Sequence, residues 1–246
     1  MRIIDMHAHT GIWAFHTRVR DQDIAGIMDW FNIEKAIFSS SRALMDDMIS
    51  GNEENYHFIN SDSRFYGYVV INQNKLKESE KELEKYLGKE KIVGVKMHPE
   101  QFNHPVNSAA SKSLVKIINS YGLPILIHTA HSEECRPSTV LEIAQQFPNN
   151  KYILAHMGNA WWKEAIETAS KAENIYTDII SSWCAYDQIK YACDALGADR
   201  VLFGSDMTLL DPAIAAGMVM SSEISDEQKE KVFYKNALAL FNFNGF

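Results

Sequence analysis

Short apolar runs alternate with helix-like segments along the chain, and this alternation constrains the possible folds most strongly. Eight runs are rich in Val, Ile and Leu and are bounded by turn residues, as expected of parallel strands buried on both faces. The predicted strands cover residues 2–6, 35–38, 65–71, 92–97, 124–129, 152–156, 175–180 and 200–204. Parallel strands need a crossover connection between them, which is usually a helix.

The segments between these strands show the apolar spacing of amphipathic helices. We predict helices over residues 23–31, 75–87, 109–120, 138–147, 161–172 and 186–196, and a last one that begins at the capping box from Ser225 to Gln228 and runs towards Leu240. Eight predicted strands, seven of them followed by a predicted helix, in 246 residues are typical of a (β/α)8 barrel, or TIM barrel. We therefore predict an α/β protein with one domain over residues 1–246.

Histidines gather where the predicted strands end. Five of the nine histidines stand there, and an aspartate follows strand 8: His7, His9, His98, His128, His156 and Asp206. Three more, His16, His104 and His131, lie in the loops just after, and only His57 falls in a helical region. A doubly wound open sheet is the main competing fold, but it gives no reason for histidines and acids at so many strand ends.

The ends of barrel strands meet at one mouth, so these side chains are expected to converge there. His7 and His9 are two residues apart in a strand and therefore point the same way. Four histidines and an aspartate form a ligand set for a divalent metal, with zinc as the first candidate: His7, His9, His128, His156 and Asp206. A closed structural zinc site fits less well, because it favours cysteine ligands and local spacing.

Composition excludes several other classes of protein. The formal net charge of −8 argues against charge-driven binding to nucleic acid or to anionic membranes. The three cysteines, Cys135, Cys184 and Cys193, do not suggest a disulfide framework. No apolar run reaches the length of a membrane helix, and the first strand leaves no room for a signal peptide. We expect a cytoplasmic protein with a small-molecule substrate, which can pair as a homodimer.

Five short motifs resemble the amidohydrolase superfamily, in its amidohydrolase-related branch of metal-dependent barrel hydrolases and decarboxylases. The motifs are residues 4–9 (IDMHAH), 94–99 (GVKMHP), 127–129 (IHT), 155–158 (AHMG) and 203–206 (FGSD), and the segment 235–241 is similar to the family's last helix. The resemblance implies a metal held by His7, His9, His128 and Asp206. His156 would then bind a second metal or the substrate.

The resemblance also implies a hydrolase in which a metal-activated water cleaves an amide, ester or lactone bond of a small, carboxylate-bearing molecule. A metal-bound water has a pKa of about 7. Asp206 would move its proton, and His156 or the metal would polarise the substrate carbonyl. The main alternative is non-oxidative decarboxylation of an aromatic or unsaturated acid at the same site. A non-catalytic ligand-binding barrel is the third reading, and it would fit a chain that lacks ligands.

Lys96, at the end of strand 4, leaves the number of metal ions open. In some members of the superfamily a lysine at this place is carboxylated and bridges two metals, whereas in others one metal suffices. Lys96 can equally remain an ammonium that faces an anionic substrate or an internal acid. One or two zinc ions are therefore both compatible with the sequence.

Several further residues are candidates for binding substrate. His98 has the same parity as Lys96 and can line the pocket or shape the loop before Pro99. An arginine near the mouth can clamp a carboxylate, and the candidates are Arg18, Arg20, Arg42 and, foremost, Arg136. Aromatic side chains after strands 6 and 7 can wall an apolar substrate, with Trp161 foremost beside Trp162 and Trp183. Solvent exposure and core packing are the ordinary alternatives for these residues.

Overall fold

The computed structural model describes residues 1–11, 13, 19–182 and 185–243. Its eight strands form one sheet in the order β1 to β8, and all seven neighbouring pairs are parallel. The strands are β1 (Ile3–Thr10), β2 (Ile33–Ser40), β3 (Phe65–Ile71), β4 (Ile92–Met97), β5 (Ile125–Ile127), β6 (Tyr152–Leu154), β7 (Ile175–Asp178) and β8 (Val201–Leu202). All eight predicted strands are present, which confirms the predicted fold class.

Backbone contacts between the last strand region and the first bring the sheet round into a barrel. The Met6 amide donates to the Phe203 carbonyl at 3.0 Å, and the Asp206 amide donates to the His7 carbonyl at 2.8 Å. The His9 amide donates to the Met207 carbonyl, and Ala8 and Met207 form a parallel bridge. The first strand is therefore paired on both sides as far as the mouth, which fixes the direction of its side chains.

Helices connect the strands on the outside of the barrel. They are α1 (Ile24–Phe31), α2 (Ser41–Met45), α3 (Met48–Ile59), α4 (Leu76–Tyr86), α5 (Pro99–Phe102), α6 (Ala109–Tyr121), α7 (Thr139–Gln146), α8 (Trp162–Ser170), α9 (Gln188–Leu196), α10 (Pro212–Ser221), α11 (Asp226–Glu230) and α12 (Asn236–Leu240). Shorter 3-10 segments cover Asp21–Asp23, Glu133–Cys135, Ala155–Trp161 and Ala198–Arg200, and a π turn, Lys231–Lys235, joins the last two helices. The predicted capping box is present, because Ser225 and Gln228 bond reciprocally at the start of α11.

The sequence pattern missed four of the described helices, and the two longer ones, α3 and α10, escaped it for opposite reasons. The inner face of α3 is polar, and its buried Asn52 and Asn55 bond to backbone carbonyls of β2 and β3. Conversely, α10 (PAIAAGMVMS) carries no charged residue and so shows no alternation between apolar and polar faces. Apolar periodicity finds neither kind of helix, because it requires one apolar face and one polar face.

The interior of the barrel changes from apolar to polar towards the mouth. Ile4, Leu126 and Phe203 belong to one continuous buried core that also takes in the inner faces of the helices.

Cys135 and Cys193 are buried as free thiols. Within the described ranges, no helix is both long and apolar enough to cross a membrane. His16, Arg18, Trp183 and Cys184 lie outside the described residues.

Candidate metal centre and active site

A cavity of about 210 Å³ lies at the carboxyl ends of the barrel strands. Most of its polar lining comes from side chains that the sequence singled out, namely His7, His9, Lys96, His98, His128, His156 and Asp206. Glu100 and Gln101 from α5 add polar groups, whereas Trp13, Leu44, Met45 and Leu209 supply an apolar wall. The barrel thus brings the histidines, the lysine and the aspartate together at one mouth, as expected from the sequence.

His7 is fully buried and is held by a carboxylate that the sequence did not single out. Nδ1 of His7 lies 2.7 Å from Oδ2 of Asp178, at the end of β7. Burial lowers the pKa of His7 and raises that of Asp178, since neither charge is favoured alone in the barrel interior. The Lys96 ammonium lies 3.0 Å from the other ring nitrogen, Nε2, so Nδ1 carries the ring proton and donates it to Oδ2. This arrangement turns the other ring nitrogen, Nε2, towards the cavity as a potential ligand.

His9 and Asp206 complete a compact group around that nitrogen. Oδ1 of Asp206 lies 2.9 Å from Nε2 of His9 and 3.5 Å from Nε2 of His7. Ser39 in β2 engages the other nitrogen of His9 at 3.0 Å. Burial opposes the ionisation of Asp206, but the hydrogen bond with His9 and the nearby positive charge of Lys96 outweigh it and lower the pKa of this carboxyl. Asp206 is accordingly an anion facing two imidazole nitrogens.

A second buried acid, Asp5, supports this group from the layer below. Its Oδ1 accepts hydrogen bonds from the His7 amide at 3.1 Å and the Ser205 amide at 3.0 Å, and its Oδ2 accepts from the Ser205 hydroxyl. Burial raises the pKa of Asp5 to about 7. Asp5 is therefore a buried, hydrogen-bonded structural acid. Its bonds join β1 to the segment that carries Asp206.

Asp206 and His156 both have a left-handed backbone conformation, with φ of 59° and 60°. Non-glycine residues adopt this region rarely, and it is concentrated at functional sites. The predicted strand 6 therefore ends two residues early, at Leu154, and the backbone turns His156 back over the mouth. The His156 amide donates to Oδ1 of Asp178 at 2.7 Å, so one carboxylate positions both His7 and His156.

Glycine is required where strand 8 meets the first strand. A Cβ atom on Gly204 would lie 2.7 Å from Cβ of His7 and 3.2 Å from Oδ2 of Asp178. Such contacts are closer than real Cβ atoms accept, so any larger residue would displace His7 or its carboxylate partner. The glycine of the FGSD motif thereby allows the first and last strands to bring His7 and Asp206 together.

His128 lies beside this group but makes other contacts. Nδ1 of His128 is 3.1 Å from Nε2 of His156, and Nε2 of His128 is 3.0 Å from Oε2 of Glu100. The ring of His98 stacks on His128 at 3.8 Å, which places His98 in the cavity as predicted. Both nitrogens of His128 are thus engaged by neighbours. Burial lowers the pKa of His128, and that of His156 to about 4, so both imidazoles are neutral at pH 7.

Lys96 is buried at the end of β4, and its ammonium meets the ligand group directly. Its Nζ lies 3.0 Å from Nε2 of His7, so the lysine donates to the lone pair that faces the cavity. Burial lowers the pKa of Lys96 to about 8, although the negative charges of Asp206 and Asp178 oppose this shift. At pH 7 the side chain still carries its proton.

The donor set fits a divalent metal. Within the described part of the chain, the ligand atoms of His7, His9 and Asp206 all lie within 4.8 Å of one another, and all three residues are buried. Two neutral imidazoles and one carboxylate suit zinc, manganese or iron, and Asp178 and Ser39 orient the two rings from behind. Nε2 of His7 already accepts a hydrogen bond from a cation, the Lys96 ammonium. These three residues therefore form a candidate site for one divalent ion.

Two predicted substrate-binding residues lie apart from the cavity lining. The guanidinium of Arg136 pairs with Glu164 at 3.1 Å and with Glu133 at 3.2 Å, and it stacks over the ring of Trp161 at 5.1 Å. Neither Arg136 nor Trp161 is among the residues that line the cavity. Their predicted contacts with substrate have no counterpart here, because acidic neighbours already use the charge of the arginine.

Sequence reasoning missed Asp178 and Glu100. Asp178 is the last residue of β7, but the predicted strand ran on to residue 180, so the question of which residue ends each strand passed over it. Glu100 offered no comparable signal, because it lies on the four-residue helix α5, which the sequence pattern did not predict. The apolar wall from α2 was missed for the same reason.

Comparisons with known proteins agree with the barrel fold. No curated protein sequence matches the chain significantly. Among solved structures, a proposed amidohydrolase from Staphylococcus aureus is 16% identical, with a TM-score of 0.77 over 98% of this chain and 99% of that chain. A dihydroxybenzoic acid decarboxylase from Polaromonas sp. JS666, with bound manganese and the inhibitor 2-nitroresorcinol, is 17% identical, with a TM-score of 0.77 over 97% of this chain and 96% of that chain.

A third solved structure, 5-carboxyvanillate decarboxylase from Sphingomonas paucimobilis, is 14% identical, with a TM-score of 0.75 over 98% of both chains. At these identities the likeness shows the barrel fold and nothing finer. The model of the amidohydrolase family matches residues 50–243, which is more than half of the chain and includes four of the five motifs completely, all but residues 4–9. The chain therefore belongs to the amidohydrolase family.

Proposed function

We propose that this protein is a metal-dependent decarboxylase that releases carbon dioxide from a small carboxylic acid. The observation that carries the proposal is the Lys96 ammonium, buried beside the candidate ligands and 3.0 Å from Nε2 of His7. A buried cation at the floor of a cavity of about 210 Å³ suits a small anion. A divalent ion held by His7, His9 and Asp206 would add a second fixed positive charge for the substrate's carboxylate oxygens.

The residues of the site can divide the work of decarboxylation. Lys96 binds and orients the carboxylate, and the buried cavity strengthens that attraction because water is excluded. When the carbon–carbon bond breaks, carbon dioxide leaves and the electron pair stays on the substrate carbon, which then takes up one proton. Asp206 is an anion and His156 is neutral at pH 7, so the proton comes from a water molecule, and Asp206 or His156 relays it to the carbon while hydroxide remains in solution. Asp178 positions His7 and His156 through two hydrogen bonds of 2.7 Å.

Hydrolysis, the first expectation from the sequence, has weaker support. It rests on the family description and on the Staphylococcus aureus relative, whose substrate is not named. Two relatives with the same fold are named as decarboxylases of aromatic acids, one of them with manganese bound. This favours the decarboxylase alternative and makes manganese as good a candidate as zinc.

The test is a panel of substrates offered to the protein after loading with manganese or zinc. The panel contains hydroxybenzoates, unsaturated acids, lactones and amides, and each reaction is scored separately for carbon dioxide and for incorporation of ¹⁸O from water into the product. We expect carbon dioxide from at least one acid, no ¹⁸O in that product, and loss of activity on chelation. Cleavage of a lactone or amide with ¹⁸O incorporation, and no carbon dioxide from any acid, would show that hydrolysis is the reaction.

A further inference from the structure

Glu100 is a charged residue of the cavity lining that has no role in the proposed reaction. It lies on α5, directly after β4, and its side chain remains 39% exposed at the rim of the cavity. Its Oε2 engages Nε2 of His128 at 3.0 Å. Among the described residues, its other carboxylate oxygen has no hydrogen-bond partner. One acceptor of this carboxylate is therefore available to a molecule in the cavity.

The charges of the cavity are separated by depth. Lys96 is fully buried and lies at the floor with the candidate metal ligands, whereas Glu100 stands at the partly exposed rim. Among the described residues that line this cavity, two are acidic: Asp206, which faces His9, and Glu100. A divalent ion held by His7, His9 and Asp206 would outweigh the Asp206 charge, so a ligand that enters would meet positive charge at the floor and negative charge at the rim.

Apart from Gln101, the rest of the described cavity lining is apolar or aromatic. Leu44 and Met45 from α2, Leu209 after Asp206, and Trp13 line the cavity together with the stacked rings of His98 and His128. Apolar and aromatic surfaces of this kind take up the flat or hydrocarbon middle of a small ligand, and a few polar groups then set its orientation. The volume of about 210 Å³ suits a single ring with two substituents.

We propose that Glu100 selects acids that carry a hydrogen-bond donor, a hydroxyl or an amino group, at the end opposite the carboxylate. The proposal rests on the proposed function in one respect, that the substrate's carboxylate binds at the Lys96 floor. Glu100 then accepts the donor at the rim. A ligand without the donor buries an acceptor without a partner, and one with an anionic group there meets like charge.

Binding of a matched series of acids tests this assignment without requiring turnover. The probes are 4-hydroxybenzoate, 4-(aminomethyl)benzoate and 4-methylbenzoate, titrated calorimetrically into the manganese-loaded protein. We expect both donor-bearing acids to bind about tenfold more tightly than 4-methylbenzoate, the ratio typical of a hydrogen bond to a charged group. Equal or weaker binding of both donor-bearing acids to the wild-type protein would overturn the proposal.

Two substitutions separate charge from hydrogen bonding. Glu100→Met removes both and is expected to abolish the preference, with the affinity for 4-methylbenzoate and for Mn²⁺ unchanged. Glu100→Gln keeps an acceptor without the charge, so the preference for 4-hydroxybenzoate largely survives and that for the cationic probe is lost. Glu167→Gln, an exposed residue paired with Lys171 on the outside of the barrel, is the matched control. A donor preference that persists in Glu100→Met would also overturn the proposal.

The same titrations distinguish this inference from the proposed function. If the donor-bearing acids bind through Glu100 but no acid of the panel releases carbon dioxide, the decarboxylase proposal fails and the assignment of Glu100 stands. If carbon dioxide is released and Glu100→Met leaves the preference unchanged, the assignment fails and the decarboxylase proposal stands. Weakened Mn²⁺ binding in Glu100→Met, with all three acids affected equally, would show that Glu100 only supports His128.

Discussion

Replacement of Asp206 by asparagine is expected to lower kcat by about a thousandfold, within the range of general acid–base catalysis. Asparagine keeps the shape and one oxygen towards His9, whose Nε2 lies 2.9 Å from the carboxylate in the wild-type protein. It can neither accept nor deliver the substrate's proton. The measurement is turnover of the best acid of the panel at saturating manganese, with metal content determined on the same sample.

The matched control for this variant is Asp199→Asn, an exposed carboxylate that pairs with Lys231 at 3.0 Å far from the mouth. It should leave kcat unchanged. Wild-type turnover in Asp206→Asn with metal bound would remove Asp206 from the proton transfer and leave His156 as the remaining candidate. Loss of the metal together with turnover would instead show that Asp206 acts mainly as a ligand.

Replacement of Asp178 by asparagine is expected to weaken Mn²⁺ binding by about 10- to 100-fold, the cost typical of losing a carboxylate behind a metal-bound histidine. The wild-type carboxylate accepts from the His156 amide and engages Nδ1 of His7, both at 2.7 Å. An asparagine oxygen can serve only one of them. If it stays with His156, its amide group donates to Nδ1, and the proton of His7 moves to Nε2, where it blocks metal binding.

Titration of Mn²⁺, followed by the loss of the free-ion signal in electron paramagnetic resonance, measures this effect. The matched control is Asp194→Asn, an exposed residue that pairs with Lys190 on α9. A comparable melting temperature of the two metal-free variants would confirm that the barrel is intact. Unchanged Mn²⁺ affinity in Asp178→Asn would mean that Nε2 of His7 is not a metal ligand.

The barrel was predictable from sequence because parallel strands buried on both faces need continuous apolar runs. All eight predicted strands are present, and the errors lie at their ends. Strand 1 continues to Thr10, since its backbone pairs with β2 and with Met207 beyond the apolar run. Strand 6 stops at Leu154, because His156 adopts a left-handed conformation that no periodicity encodes.

The candidate site was predictable where one residue type marks the end of a strand. His7, His9, Lys96, His98, His128, His156 and Asp206 meet in one cavity as the sequence suggested. The partners of these residues were not predictable, because long-range packing chooses them. Asp178 reaches back across the barrel to His7, and Glu100 reaches His128 from a helix of four residues. Arg136 was predicted to bind substrate, but a neighbouring acid engages its guanidinium instead.

The central claim is that His7, His9 and Asp206 hold one divalent ion beside an unmodified Lys96. Anomalous scattering from manganese in crystals of the metal-loaded protein tests it most directly. We predict one peak per chain, in contact with Nε2 of both histidines and with the Asp206 carboxylate. The absence of a peak at this cluster, or two peaks bridged by a carboxylated Lys96, would contradict the account.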